Sequence, residues 1–267
     1  MEGFSIGRTL SRAFRLIGSG FGGVGLFLLI AYIANTAVSA VIQPMMLSEM
    51  AQAADPTDPA AALSIFRSAW YWLTVLASLA IGGLIYSGSI HGYLQVARGK
   101  EASIGECFSV GFAKLLPMLG LTLLWIIAII FGFMLLIVPG VILITIWAVS
   151  MPALVGEGRG VFDAFGRSRA LTRGSRWSIF GVLFILIVAI YVLMFMLLGG
   201  LIGGAAMSGG LNPEKLAAMS SPLMLLGSAV MGWAMSMLLS AVITSIYVEL
   251  VQIKEGSPTG ELSAVFG

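Results

Sequence analysis

Few residues in this sequence have side chains suited to acid–base, nucleophilic or metal chemistry. The 267 residues include one histidine, His91, and one cysteine, Cys107, too few for a zinc cluster, a disulfide framework or a Cys-x-x-Cys redox pair. We expect His91 to be a hydrogen-bonded residue near a membrane interface, and Cys107 has no histidine near it in the sequence. The sequence therefore predicts no enzymatic activity, no cofactor, no bound metal and no nucleic-acid partner.

Arginines provide the clearest candidate binding chemistry, because several have the spacing of one helix face. Arg8, Arg12 and Arg15 recur every three or four residues opposite an apolar face, as in an amphipathic helix on a membrane surface. Arginines near an anionic leaflet each contribute about 1 kcal/mol of attraction, although arginines beside membrane spans can also serve only to fix topology. The candidates for binding an anionic lipid headgroup or an acidic partner protein are Arg8, Arg12, Arg15, Arg159, Arg167, Arg169, Arg173 and Arg176.

Small residues form a stripe along the last apolar segment. They are spaced four residues apart, at Ser228, Gly232, Ser236, Ser240 and Thr244. Such a stripe lets another helix approach closely and adds hydrogen bonds between helices. It can also line a narrow path for a polar or lipidic solute. The pattern thus predicts either helix packing or a lined path.

Membrane-spanning helices must position these side chains. Apolar residues make up 59% of the chain and charged residues 10%, and the mean hydropathy of +1.03 excludes a soluble globular domain. Pro139-Gly140 lies inside a charge-free interval long enough for two spans, which predicts a tight hairpin there. Six spans are predicted, the fourth short enough to be partial or re-entrant: 20–41, 69–97, 116–138, 141–155, 177–202 and 222–251.

The distribution of basic residues predicts the orientation of these spans. Of the 14 lysines and arginines, all except Arg67 and Lys215 lie in four segments, 1–19, 95–115, 155–177 and 252–267. By the positive-inside rule, these segments and both termini face the cytoplasm. The expected location is the inner membrane of a bacterial cell.

The order of elements repeats along the chain. A short polar helix is predicted before each pair of spans, which suggests repeats at about 3–100, 101–157 and 158–256, followed by a cytoplasmic tail at 257–267. The predicted fold is a single all-α integral membrane domain covering 1–267. Its six transmembrane helices form three hairpins, each preceded by a short cytoplasmic interface helix.

One part of the sequence resembles the membrane-domain family of glycerophosphoryl diester phosphodiesterases. The resemblance covers most of 101–256, and it implies a membrane domain that in two-part members stands beside a separate soluble catalytic barrel. We expect no such barrel here, because the six helices and their loops use the whole sequence, so phosphodiesterase activity is not inferred. The residues that carry the resemblance are Pro139-Gly140, Met151-Pro152-Ala153-Leu154-Val155, Glu157-Gly158, Ala164, Arg167-Ser168, Leu171-Thr172, Gly174, Trp177, Tyr247-Val248-Glu249-Leu250 and Lys254-Glu255-Gly256.

Two functional hypotheses follow from the sequence. The first is a non-enzymatic scaffold or accessory protein of the inner membrane that binds anionic lipids, and possible protein partners, through its basic cytoplasmic helices. The alternative is a transporter or channel-like protein for a lipid or small amphipathic solute, which repeats and interrupted helices favour. No charged residue lies at the centre of a predicted span, which argues against an ion-coupled pump. Glu249 comes nearest, and we expect it either to snorkel toward the interface or to hydrogen-bond another helix.

Overall fold

A computed structural model describes residues 3–53, 66–207 and 222–256. Every regular element within these ranges is helical. The predicted tail at 257–267 and the connection containing Lys215 lie outside them. The helices are α1 (Ile6–Gly20), a π-helical segment (Phe21–Gly25), α2 (Leu26–Ala53), α3 (Ala69–Ala97), α4 (Ile104–Ala113), α5 (Leu115–Leu135), α6 (Ile137–Ile146), α7 (Ser150–Glu157), α8 (Val161–Thr172), α9 (Arg176–Met207) and α10 (Pro222–Glu255).

Several of these helices are long and apolar enough to cross a membrane. Within the described ranges there are five such segments: Ile6–Ile42, Ala69–Ala97, Leu115–Leu135, Ile137–Glu157 and Leu226–Glu255. A sixth counts only as a bent pair, in which Val161–Thr172 and Arg176–Val192 meet at 105°. The chain is therefore an all-helical membrane protein with five or six candidate spans.

The helical segment that contains the first span begins at Ile6, before the predicted start of the span at residue 20. The chain stays helical from Ile6 to Ile42, and α1 joins α2 through the π-helical segment Phe21–Gly25. A Cβ atom at Gly23 would lie 1.9 Å from the carbonyl oxygen of Ala102, so only glycine permits this contact. Gly23 thus lets this helix pass close to the connection before α4.

The hairpin between α5 and α6 turns at Leu136 and not at the predicted Pro139-Gly140. Leu136 has extended backbone angles, and Pro139 lies in the first turn of α6, where a missing N–H costs no helical hydrogen bond. A Cβ atom at Gly132 would lie 3.0 Å from the Cα of Gly140. Both glycines therefore serve the close contact between the two arms of the hairpin.

The fourth span is longer than predicted, and it is interrupted. It covers Ile137–Glu157, which is 21 residues, and consists of α6 and α7 separated by a turn at 147–149. The predicted range of 141–155 was too short because the span was assumed to begin after Pro139-Gly140. The predicted second span coincides with α3, whereas the fifth and sixth extend a few residues further as α9 and α10.

The best-packed part of the protein is the end of the bundle that contains most of the basic residues. The largest fully buried side chains include Phe27, Ile90, Tyr93, Leu154 and Ile246. There the last turns of α3, α7 and α10 meet α1, α4 and α8; we call this region the basic end. Large apolar side chains on α5 and α9 are exposed, as expected of surfaces that face lipid.

Candidate functional site

A buried carboxylate fastens the first helix to the last one at the basic end. Glu249 of α10 is only 3% exposed. Its Oε1 accepts a 3.1 Å hydrogen bond from Nε of Arg8, and its Oε2 lies 3.0 Å from Nη1 of Arg12. Arg12 also donates from Nη2 to Oε1 of Gln252, at 2.8 Å. The structure therefore gives Glu249 a hydrogen bond to another helix, from Arg8 of α1, and Arg12 of the same helix forms an ion pair with the carboxylate.

A second carboxylate joins α7, α8 and α10. Nε of Arg167 lies 2.8 Å from Oε1 and 3.0 Å from Oε2 of Glu157, and the Tyr247 hydroxyl donates to Oε1 at 2.7 Å. Arg159 also pairs with Glu157. Nη2 of Arg167 lies 2.5 Å from Oε1 of Glu255. One half-buried arginine thus links carboxylates on two other helices.

The two faces of α8 have different roles. Ala164, Ser168, Leu171 and Thr172 are buried, at the spacing of a single helix face. The hydroxyls of Ser168 and Thr172 donate to the carbonyl oxygen of Ile146, at 2.8 and 3.3 Å. These bonds satisfy a carbonyl at the end of α6, where the fourth span is interrupted. The inner face of α8 is therefore polar where it contacts that interruption.

Three arginines lie beside one another where the outer face of α8 meets the start of α9. Arg169 and Arg173 are exposed, and Arg176 begins α9 half-buried. The three side chains line a surface pocket of about 470 Å³ together with Gly166 and Ala170. Nε of Arg176 is buried and has no hydrogen-bond partner among the described residues. We call this cavity the arginine pocket; its charges suit an anionic group.

The eight candidate arginines thus fall into different environments. Arg8, Arg12, Arg159 and Arg167 pair with carboxylates of the protein itself. Arg15 is exposed on α1, and the other three line the arginine pocket. Sequence reasoning did not assign the pairing roles of Glu157 and Glu255. A usable signal was present, because these two carboxylates and Glu249 fall in or beside the same basic segments as the arginines.

The stripe of small residues on α10 contacts α2. A Cβ atom at Gly232 would lie 2.3 Å from the ring of Tyr32, and the Tyr32 hydroxyl is 2.6 Å from Oγ of Ser236. Ser240 and Thr244 are buried, whereas Ser228 is exposed. At two of its five positions, the stripe is in close helix packing with a single tyrosine.

The two residues considered for reactivity, His91 and Cys107, both lie in packed surroundings. His91 is half-buried, with Nε2 3.4 Å from Nε2 of Gln95 one turn later on α3. Cys107 is fully buried in α4. Burial raises the pKa of its thiol to about 11, so the thiol is neutral at physiological pH.

We therefore predict that Cys107 resists alkylation in the folded protein. At pH 8 the thiolate, which is the reacting form, is on the order of one part in a thousand of a thiol with this pKa. Incubation with a maleimide followed by intact-mass measurement should show the unmodified mass. The unfolded protein should gain one label. Rapid complete labelling of folded protein would contradict the buried position of α4.

Comparison with known proteins identifies a family for the second half of the chain, which contains α6 to α10. The model of the family described as the membrane domain of glycerophosphoryl diester phosphodiesterase matches residues 118–263, more than half of the chain. No curated protein and no solved structure matches the chain significantly. The matched region includes Glu157, Arg167, Tyr247 and Glu249, which make the contacts described above. The chain therefore belongs to the family of the membrane domain of glycerophosphoryl diester phosphodiesterase.

Proposed function

We propose that this protein is a non-enzymatic scaffold or accessory protein of the inner membrane that binds anionic lipid at its basic end. In this proposal, the chain crosses the membrane six times as three hairpins, with both termini in the cytoplasm. The order of helices supports this arrangement, since α1, α4 and α8 each precede two longer helical segments, which are α2 and α3, α5 and α6–α7, and α9 and α10. The basic residues at that end support the orientation.

The arginine pocket is the observation that carries the lipid-binding proposal. Four of the candidate arginines pair with carboxylates, whereas Arg169, Arg173 and Arg176 line one open pocket. Positive charge concentrated beside a membrane-spanning helix attracts anionic headgroups.

The charged contacts favour a scaffold over an enzyme or a transporter. Glu157 and Glu249 are held by arginines, an arrangement that fixes helices in place and leaves neither carboxylate poised as a general base. Gly232 and Ser236 contact Tyr32 directly, which supports a packing role for the stripe over a path for solutes. A rigid bundle that presents one basic surface fits an accessory role.

Lipid retention tests this proposal. Native mass spectrometry of protein purified in a mild detergent with equal phosphatidylglycerol and phosphatidylcholine should show preferential retention of phosphatidylglycerol. In the triple variant Arg169→Gln, Arg173→Gln, Arg176→Gln, this preference should fall at least tenfold, because each arginine contributes about 1 kcal/mol of attraction to an anionic headgroup.

The matched control removes three positive charges at the same end of the bundle but outside the arginine pocket. It is the triple variant Arg98→Gln, Lys100→Gln, Lys114→Gln, which should retain phosphatidylglycerol as the unchanged protein does. Equal retention of the two lipids by the unchanged protein would overturn the proposal. An equal loss of phosphatidylglycerol retention in both triple variants would show that retention depends on net charge and not on the arginine pocket.

A further inference from the structure

An apolar groove begins where the arginine pocket ends. One wall is α6, from Thr145 back to Ile137, and the other is the start of α9, with Trp177 and Phe180. The groove has a volume of about 440 Å³. The hydroxyl of Thr145 is turned into its own helix, donating to the carbonyl oxygen of Val141 at 2.9 Å. The walls are therefore apolar along about 12 Å of α6, at 1.5 Å per residue.

Arg176 belongs to both cavities. It lines the arginine pocket with Arg169 and Arg173, and it lines the groove beside Trp177 and Phe180. A molecule that fills both must therefore carry an anionic group joined directly to a long apolar chain. Free phosphate would leave the groove empty, and an acidic peptide would place polar backbone against apolar walls without hydrogen-bond partners. Of these three, only an anionic phospholipid suits both surfaces.

We propose that the arginine pocket and the α6–α9 groove together form a binding site for one anionic phospholipid. Its phosphate contacts Arg169, Arg173 and Arg176, and one acyl chain lies between α6 and α9. This inference rests on the proposed function, because it assigns the anionic lipid bound at the basic end to a defined site. It also implies a role for the 105° bend between α8 and α9, which brings arginines from both helices to one pocket.

Selectivity at this site comes from the headgroup. An acyl chain gains little hydrophobic free energy on moving from the bilayer into the groove, because lipid tails are as apolar as the walls. The groove instead determines where the chain lies once the phosphate is bound. The site should therefore discriminate between anionic and zwitterionic lipids and hold the acyl chain at a fixed position.

Photo-crosslinking in nanodiscs tests this placement. Phosphatidylglycerol with a diazirine in one acyl chain, present at a few per cent in phosphatidylcholine, should label the segments 137–145 and 176–180 of the unchanged protein. The labelled peptides are identified by mass spectrometry. Excess unlabelled phosphatidylglycerol should reduce labelling at least fivefold, whereas excess phosphatidylcholine should not.

Two tryptophan substitutions provide a matched pair. Ile142 lies in the groove and is 47% exposed, whereas Ile127 of α5 is 42% exposed and lies outside the groove. Ile142→Trp should reduce labelling of 176–180 at least fivefold, and Ile127→Trp should leave it unchanged. The labelling pattern of the unchanged protein tests the site even if a tryptophan variant fails to fold.

The outcomes separate this site from the broader proposal. Selective retention of phosphatidylglycerol with acyl labels spread over α5 and the outer part of α9 would overturn the groove site but leave the proposed function standing. Equal retention of phosphatidylglycerol and phosphatidylcholine by the unchanged protein would overturn both. Selective labelling at 137–145 and 176–180, competed by phosphatidylglycerol, would support both.

Discussion

Replacing Glu249 by alanine is expected to destabilise the folded protein by about 3 kcal/mol, near the lower end of what breaking a buried ion pair costs. Glu249 is 3% exposed, and its carboxylate contacts Arg8 and Arg12, whose side chains are 42% and 12% exposed. Without the carboxylate, the half-exposed Arg8 can turn toward water. Arg12 cannot do so without moving α1, and most of the cost comes from leaving its charge in a poorly hydrated position.

Thermal unfolding in detergent measures this effect. The midpoint of Glu249→Ala should fall by on the order of 10 °C. The matched control is Glu101→Ala, which removes an exposed carboxylate at the same end of the bundle and should change the midpoint by little. A midpoint within 2 °C of the unchanged protein, roughly 1 kcal/mol or less at this chain size, would show that the contacts of α1 with Glu249 contribute little to stability.

The double variant Arg12→Gln, Glu249→Gln sharpens the test. Removing both members of a buried ion pair is often close to neutral, because the desolvation cost of both charges disappears with their attraction. We therefore expect the double variant to be more stable than Glu249→Ala. Equal or greater destabilisation would mean that packing around these side chains, and not their charge, holds α1 in place.

The sequence predicted the membrane class of this fold because that class depends on composition and on long charge-free intervals. Helix ends were harder to predict, since they depend on contacts between segments. Pro139 is a good helix breaker in isolation, yet the chain turns at Leu136 and accommodates Pro139 in a first turn. Gly23 shows the same dependence, because it packs closely against Ala102, which is distant in the sequence.

The candidate site, too, could be predicted from the sequence only in part. Arg169, Arg173 and Arg176 were candidates from the sequence, and they line one pocket because the 105° bend between α8 and α9 brings them together. The sequence could not show that Arg8 and Arg12 meet the Glu249 carboxylate, some 240 residues away. Sequence periodicity assigns a residue to a helix face, but it does not say which other helix covers that face.

These contacts give physical roles to several residues that carry the family resemblance. Glu157, Arg167 and Tyr247 join three helices, and Ser168 and Thr172 hydrogen-bond the end of α6. The same contacts turn the inner face of α8 toward the protein. They thereby determine which arginines remain available at the surface, so the internal ion pairs and the arginine pocket depend on one helix.

A second large effect is expected at Gly88, in the middle of α3. A Cβ atom there would lie 2.6 Å from the carbonyl oxygen of Cys107 and 2.4 Å from the ring of Phe27. The phenyl ring could turn aside, but the carbonyl belongs to the backbone of α4 and can move only with that helix. Overpacking of this kind costs about 1–3 kcal/mol, so Gly88→Ala should destabilise the protein by that amount.

Gly82 offers a control on the same helix. Nothing lies within 4 Å of a Cβ atom built at that position, and alanine is favoured over glycine inside a helix by about 1 kcal/mol. The same substitution should therefore have opposite signs at the two positions: Gly82→Ala should raise the unfolding midpoint or leave it unchanged, and Gly88→Ala should lower it. Two variants that shift the midpoint in the same direction would contradict the close contact of α3 with α4. Because Phe27 belongs to α2, a loss confined to Gly88→Ala would show that α3 is the helix against which α2 and α4 are both positioned.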